Sequence, residues 1–136
     1  MVNPQAIQLK AVHHAALICS DYAKSKHFYS DILGLRIVAE NYRAERGSYK
    51  LDLALANGVQ LELFSFPQPP ARPSQPEACG LRHLAFAVDD LDASIAWLLA
   101  NDVAVEPVRV DEFTLKRFTF FKDPDGLPLE LYEATT

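Results

Sequence analysis

The chain has 136 residues, 49% of them hydrophobic and 23% charged, with a formal net charge of −5. That length supports one domain burying roughly two thirds of the surface its unfolded chain exposes, and the composition excludes a disordered tail. The acidic balance argues against a nucleic-acid partner, no apolar run approaches the ~20 residues of a membrane span, and the start MVNPQAIQLKAV lacks the blocks of a secretory signal, so a cytoplasmic protein without membrane contact is expected.

Residues 11–19 (AVHHAALIC) read as a short, largely buried strand, with His14, Ala16 and Ile18 on one face and His13, Ala15 and Leu17 on the other. Asp21 is an N-cap for a helix over 22–33, which carries Phe28, Tyr29, Ile32 and Leu33 at helical spacing before Gly34 stops it. Strand-like runs follow at 35–44, 48–56 and 59–66, with Gly47 dividing the first two and Asn57-Gly58 signalling a hairpin between the second and third. In the last run Gln60, Glu62 and Phe64 alternate with Leu61 and Leu63. The order is βαβββ.

Residues 67–80 hold five of the nine prolines, which favour extended backbone and supply no ladder donors. After this linker the grammar returns: a strand over 81–89, Asp89 or Asp90 as N-cap, a helix over 91–100 with Leu91, Ile95, Leu98 and Leu99 inward, and Asn101 at its end. Strands are expected at 103–110, 114–122 and 127–133, with a Pro124-Asp125-Gly126 turn before the last. The fold class is therefore α+β, one domain over 1–136 built of two tandem βαβββ modules, 9–66 and 81–134. One module alone would leave a sheet face uncovered, so the copies are expected to pack together, within one chain or across a homodimer, and form a cup.

The repeat is chemical as well. His14 and His83 stand 69 residues apart and Glu62 and Glu130 68, and Asp21/Asp90 and Ser25/Ser94 share the 69-residue offset. Two imidazoles and two carboxylates make a neutral N/O set with a divalent cation, suited to nickel, cobalt or zinc, and also to manganese or iron. An octahedral ion so held keeps two positions for substrate. His13 is the rival of His14, but His14 precedes Asp21 by the seven residues that separate His83 from Asp90, and His13 aligns with Arg82. His27, beside Lys24 and Lys26, reads as a surface residue, and Asp52, Asp123 and Glu133 as ordinary surface or turn carboxylates. Cys19 and Cys79 have no ligand spacing and read as reduced thiols, Cys19 buried.

From Leu9 to Glu133 the chain resembles the vicinal-oxygen-chelate superfamily, and within it the bacterial glyoxalase I-like (lactoylglutathione lyase-like) proteins. The motifs are the His14 strand leading into SDYAKSKHFYSDILGL, the Glu62 strand, GLRHLAFAVDDLDA and DPDGLPLELYE. The resemblance implies a metal in the cup at His14, Glu62, His83 and Glu130, and a small substrate that chelates it through two vicinal oxygens. It also implies an enediolate stabilised as a proton moves, with Glu130 as principal acid/base and Glu62 as ligand or second acid/base. Glutathione-dependent relatives hold their substrate with an Arg four residues after the first His and an Asn four residues after the first Glu; here these positions are Ile18 and Phe66. An apolar pair cannot clamp a carboxylate, so a metal-dependent lyase or isomerase with a different substrate is expected.

Further pocket candidates are Phe64, Tyr132, and Lys116 or Arg117, one of which should face the cup by strand alternation. Arg82 should point to the opposite face from His83. The rival readings are an epimerase acting next to a thioester, a ring-cleaving dioxygenase, and a non-catalytic protein that binds a small molecule or metal chelate. Relatives of the first kind usually carry Gln where Glu62 stands, and a fourth ligand at Glu62 argues against the second.

Overall fold

The computed structural model describes residues 5–134. The first four residues of the amino-terminal stretch read above, and the last two of the chain, lie outside the described residues. The first module comprises β1 (His14–Cys19), α1 (Tyr22–Lys26) continued by wider π-type turns over His27–Ile32, β2 (Arg36–Arg43), β3 (Ser48–Ala54) and β4 (Gln60–Ser65). The second comprises β5 (Leu84–Val88), α2 (Leu91–Ala100), β6 (Arg109–Val110), β7 (Arg117–Lys122) and β8 (Pro128–Glu133). Their sheets run β1-β4-β3-β2 and β5-β8-β7-β6. In each the module's first strand lies parallel to its last, and the other neighbours are antiparallel. This is the expected tandem βαβββ architecture.

Local chemistry accounts for the element ends. The Asp21 carboxylate accepts from the Lys24 N–H at 3.2 Å and the Asp90 carboxylate from the Ala93 N–H at 2.9 Å, the N-cap bond expected at both helices. Leu55 pairs with Val59, so the hairpin around Asn57 is a three-residue loop, with Gly58 supplying the left-handed backbone (φ +92°) that closes it.

Two expected strands are shorter than their residue patterns suggested. Over 103–110 only Arg109–Val110 joins the sheet, with Val105 making a single bridge to Phe121; Pro107, between the two contacts, has no N–H to donate. Over 114–122 the strand begins at Arg117, because Asp111 and Lys116 close a tight turn in which Leu115 has a positive φ. Leu99 is likewise exposed on α2, which turns Leu91 and Leu98 to the core.

One apolar cluster serves both modules. Leu17, Cys19, Leu51, Leu53, Leu61 and Leu63 from the first sheet join Phe121, Leu129 and Leu131 from the second, with Phe28, Tyr29, Leu91 and Leu98 from the helical segments. Polar ties cross the same seam: Trp97 Nε1–H donates to the Ile32 carbonyl at 2.7 Å and the Ser20 N–H to Asp125 at 3.1 Å. Asp123 is no ordinary turn carboxylate. It is buried, accepts the Tyr29 hydroxyl at 2.7 Å, and accepts the N–H groups of Asp125 and Leu127 at 2.9 Å each.

Tyr29→Phe removes one bond to that buried carboxylate and should lower stability by about 1.5–3 kcal/mol, read from the urea midpoint; an unchanged midpoint would refute the tie. Burial, and next the Asp125 carboxylate, pushes the Cys19 thiol up to about 11, so it stays protonated at neutral pH. A thiol reagent should therefore modify exposed Cys79 quickly and Cys19 only on unfolding. Two fast thiols in the native protein would contradict this.

Candidate metal and substrate site

The leucine alternation that builds the core places the polar set on the opposite faces. In the first sheet His14, Ala16 and Ile18 of β1 align with Gln60, Glu62 and Phe64 of β4, and Lys50 and Asp52 of β3 stand opposite Phe64 and Glu62. His14 Nε2 lies 3.6 Å from Glu62 Oε2. The His13 and His14 Nδ1 atoms are 2.9 Å apart, one donating and the other accepting, which leaves the Nε2 of His14 turned to the glutamate. Lys50 Nζ donates to Asp52 at 2.7 Å and sits 3.9 Å from Glu62.

In the second sheet His83 immediately precedes β5, and its Nε2 lies 3.1 Å from Glu130 Oε1. Phe120 packs its ring at right angles to the imidazole, 5.0 Å between centroids. Glu130 is buried; His14 is the most open of the four.

Ligand atoms about 2.1 Å from one ion stand roughly 3 Å apart at a right angle and about 3.4 Å apart at the tetrahedral angle. The His83/Glu130 pair, at 3.1 Å, lies within that range, and the His14/Glu62 pair, at 3.6 Å, lies slightly beyond it. The two pairs remain separate within the chain: among the described residues no three His, Cys, Asp or Glu side chains gather where they could hold an ion. The pairs lie apart because both sheets turn their leucine faces to the shared core and carry these pairs on the other faces.

The pocket candidates divide. Ile18, 59% exposed, lies beside Phe64 on the site face, and Phe64 and Phe66 have parallel rings 6.3 Å apart. Tyr132 shares the face of Glu130, stacks on Phe118, and donates its hydroxyl to Asp111 at 2.8 Å, with Thr114 also in contact. Arg117 points the other way. It is clasped by Glu133 at 2.9 Å and Asp92 at 3.1 Å; the Arg117 backbone N–H, and next its guanidinium, hold the Glu133 carboxyl below its ordinary range, and the guanidinium does the same for Asp92, so neither Arg117 nor Glu133 is a lone surface charge. Lys116 precedes β7 with the parity of Phe118 and Phe120, its N–H donating to Thr114 Oγ1. Arg82 pairs with Glu77 in the linker at 2.6 Å.

Several site-face residues escaped the sequence reading. Asp52, read as a surface carboxylate, stands opposite Glu62; the alternation in SYKLDLA, with Tyr49, Leu51 and Leu53 against Ser48, Lys50 and Asp52, carries that signal. Arg109 lies over Phe118 and Phe120 at 5.3 and 5.2 Å, on a two-residue strand with no periodicity to read.

A sequence profile of the Glyoxalase/Bleomycin resistance protein/Dioxygenase superfamily matches residues 11–131. The chain is similar to the uncharacterized protein YaeR of Escherichia coli (strain K12), 64% identical over 92% of this chain and 97% of that protein. It is 31% identical to the metallothiol transferase FosB of Staphylococcus epidermidis, over 93% of this chain and 86% of that one. The crystal structure of a glyoxalase family protein from Enterococcus faecalis superposes with a TM-score of 0.85 at 52% identity, covering 91% of this chain and 98% of the other. With the profile spanning nearly the whole chain and both modules in place, the chain belongs to the Glyoxalase/Bleomycin resistance protein/Dioxygenase superfamily, the vicinal-oxygen-chelate group that its motifs resemble.

Proposed function

We propose that the protein is a metal-dependent lyase or isomerase of the glyoxalase I-like kind. It moves a proton between neighbouring carbons of a small substrate with two vicinal oxygens, and a second copy of the chain completes its site. The observation that carries this reading is the duplicated pair, His14 with Glu62 at 3.6 Å and His83 with Glu130 at 3.1 Å, each on one of two equivalent sheets. One copy's first pair and the other copy's second pair would hold a divalent ion, by ligand chemistry nickel, cobalt or zinc, with manganese or iron also suited. When bound, such an ion supplies Lewis-acid stabilisation of charge on a substrate oxygen, worth several kcal/mol.

The remaining work falls to side chains. His13 orients the His14 ring, the outer contact that fixes a ligand imidazole. Glu130, buried opposite Phe120, takes the proton from the carbon beside the carbonyl and returns it to the adjacent carbon, while the aromatic lining keeps water away. Glu62 is steadied by Lys50 and serves as ligand or second acid/base. Ile18 and Phe66 offer a glutathione carboxylate no donor, which supports a different substrate. A second reading, metal-dependent thiol transfer, is favoured by the identity to FosB.

His14→Ala and His83→Ala should each weaken zinc or nickel binding at least ~100-fold and His13→Ala roughly tenfold, measured by competition with a chromophoric chelator; undiminished binding in either ligand variant removes it from the set. Refolding the His14→Ala and His83→Ala chains together should restore one intact site per mixed dimer, and no recovery would sink the shared site.

Metal-loaded protein should catalyse deuterium exchange into hydroxyacetone, followed by NMR, and give little or no thioester from methylglyoxal plus glutathione. Glu130→Gln should slow the exchange about 100-fold or more. Tight small-molecule retention without exchange in the unaltered protein would favour the binding-protein reading, and consumption of free thiol with an electrophile would favour thiol transfer.

A further inference from the structure

The first sheet holds two arginines without an ion pair among the described residues: Arg36 at the exposed start of β2, and Arg43, which is packed on an aromatic ring. Arg43 pairs with Ser48 across β2 and β3, which puts it on the face of Lys50, Asp52, Glu62 and Phe64. Its guanidinium lies over the Phe64 ring, 5.1 Å from the centroid, and Lys50 Nζ lies 6.0 Å from the same centroid. The Nη2–H group donates to the buried Ser48 hydroxyl at 3.1 Å, but Nε is shut off from solvent with no acceptor. No ion pair among the described residues gives Arg43 a carboxylate. Lys50 is committed to Asp52, and Glu62 would be taken up by the ion of the preceding section. Arg43 is thus an uncompensated positive charge flattened on an aromatic ring, with a donor buried and unused, an arrangement costly to keep for packing alone.

We propose that Arg43, with Lys50 beside it across Phe64, forms an anion subsite that takes a carboxylate, phosphate or phosphonate group of the substrate. The planar guanidinium fork matches any of these oxyanions. The inference rests on the functional reading above, because Phe64 follows Glu62 by two residues on the same face. That spacing sets roughly 7 Å between the proposed chelating position and the subsite, the span of a small acid and too short for a tripeptide. Ile18 aligns with Phe64 and supplies an apolar wall on the β1 side. The substrate class is thus a small, singly tailed oxyanion with two vicinal oxygens at its other end.

Two titrations separate this subsite from the metal reading. In the first, acetate and methylphosphonate are added to the metal-free protein while NMR follows the Arg43 Nε–H and Lys50 side-chain signals. Both signals should shift saturably with at least one probe; the preferred probe distinguishes a carboxylate from a phosphorus oxyanion, and Arg43→Met should abolish the response. In the second, calorimetry on nickel-loaded protein compares acetohydroxamate with phosphonoacetohydroxamate and the monohydroxamate of succinate. A tailed chelator should bind at least tenfold tighter than acetohydroxamate, and Arg43→Met should erase that advantage while leaving acetohydroxamate binding unchanged. Loss of the tail effect in Arg43→Met with retention in Arg43→Lys would assign it to charge and not to packing on Phe64. Anion shifts without any hydroxamate binding would uphold the subsite and overturn the metal-chelate reading. Hydroxamate binding with no anion shifts and no tail advantage would uphold that reading and overturn the subsite.

Discussion

Both sheets spend their leucine faces on one core, and the geometry of the candidate site follows from that burial. Leu61 and Leu63 on β4, and Leu129 and Leu131 on β8, sit in the same apolar cluster with Tyr29 and Leu98. Strand side chains alternate, so Glu62 and Glu130 are carried to the other faces, each beside the histidine from the parallel first strand or the residue just before it. Burying apolar surface is worth about 25 cal/mol per Å², and turning either sheet over to unite the four groups would give up that burial. The two His/Glu pairs of one chain therefore stay apart, and in the proposed reading a second chain joins them.

The two faces are equivalent in register and different in chemistry. Opposite Glu62 stands Asp52, and opposite Glu130 stands Phe120; opposite Phe64 stands Lys50, and opposite Tyr132 stands Phe118. The first face is charged, with Lys50, Asp52 and Arg43 around its carboxylate, whereas the second is mainly aromatic, with Phe118, Phe120 and Tyr132, and Arg109 lying over two of these rings. A duplicated scaffold has thus acquired one face suited to holding charge and another suited to excluding water. That division places the mobile proton at Glu130 and the substrate's charge near Arg43 in the proposed chemistry.

The architecture was legible because each module repeats a local pattern whose physics is short-range: an N-capping aspartate, a helical apolar stripe, a helix stop at Gly34 or Asn101, and alternating leucines. The pairing of His14 with Glu62 and of His83 with Glu130 was legible from the same offset. Edge structure was less so. Pro107 and the turn at Asp111 shortened two strands whose β-branched and aromatic content looked adequate, and α1 widened into π-type turns that no residue pattern announced. Charged side chains were the hardest to place. Asp123 read as a surface or turn carboxylate and is a buried acceptor; Arg117 read as one of two candidates for a pocket cation, with Lys116, and is bound to Asp92 and Glu133.

From sequence alone came the doubled module, the register that sets His14 above His13 as a ligand candidate, and the two carboxylates. These depend on spacing along one chain, which the order of residues specifies directly. Only the tertiary structure decided that the two His/Glu pairs stand on separate faces of a shared core, that His13 touches His14, and that Arg43 lies unpaired over Phe64. Those facts depend on which long-range surfaces are buried together and on which charges they bring within a few ångströms, and a local pattern carries no record of either.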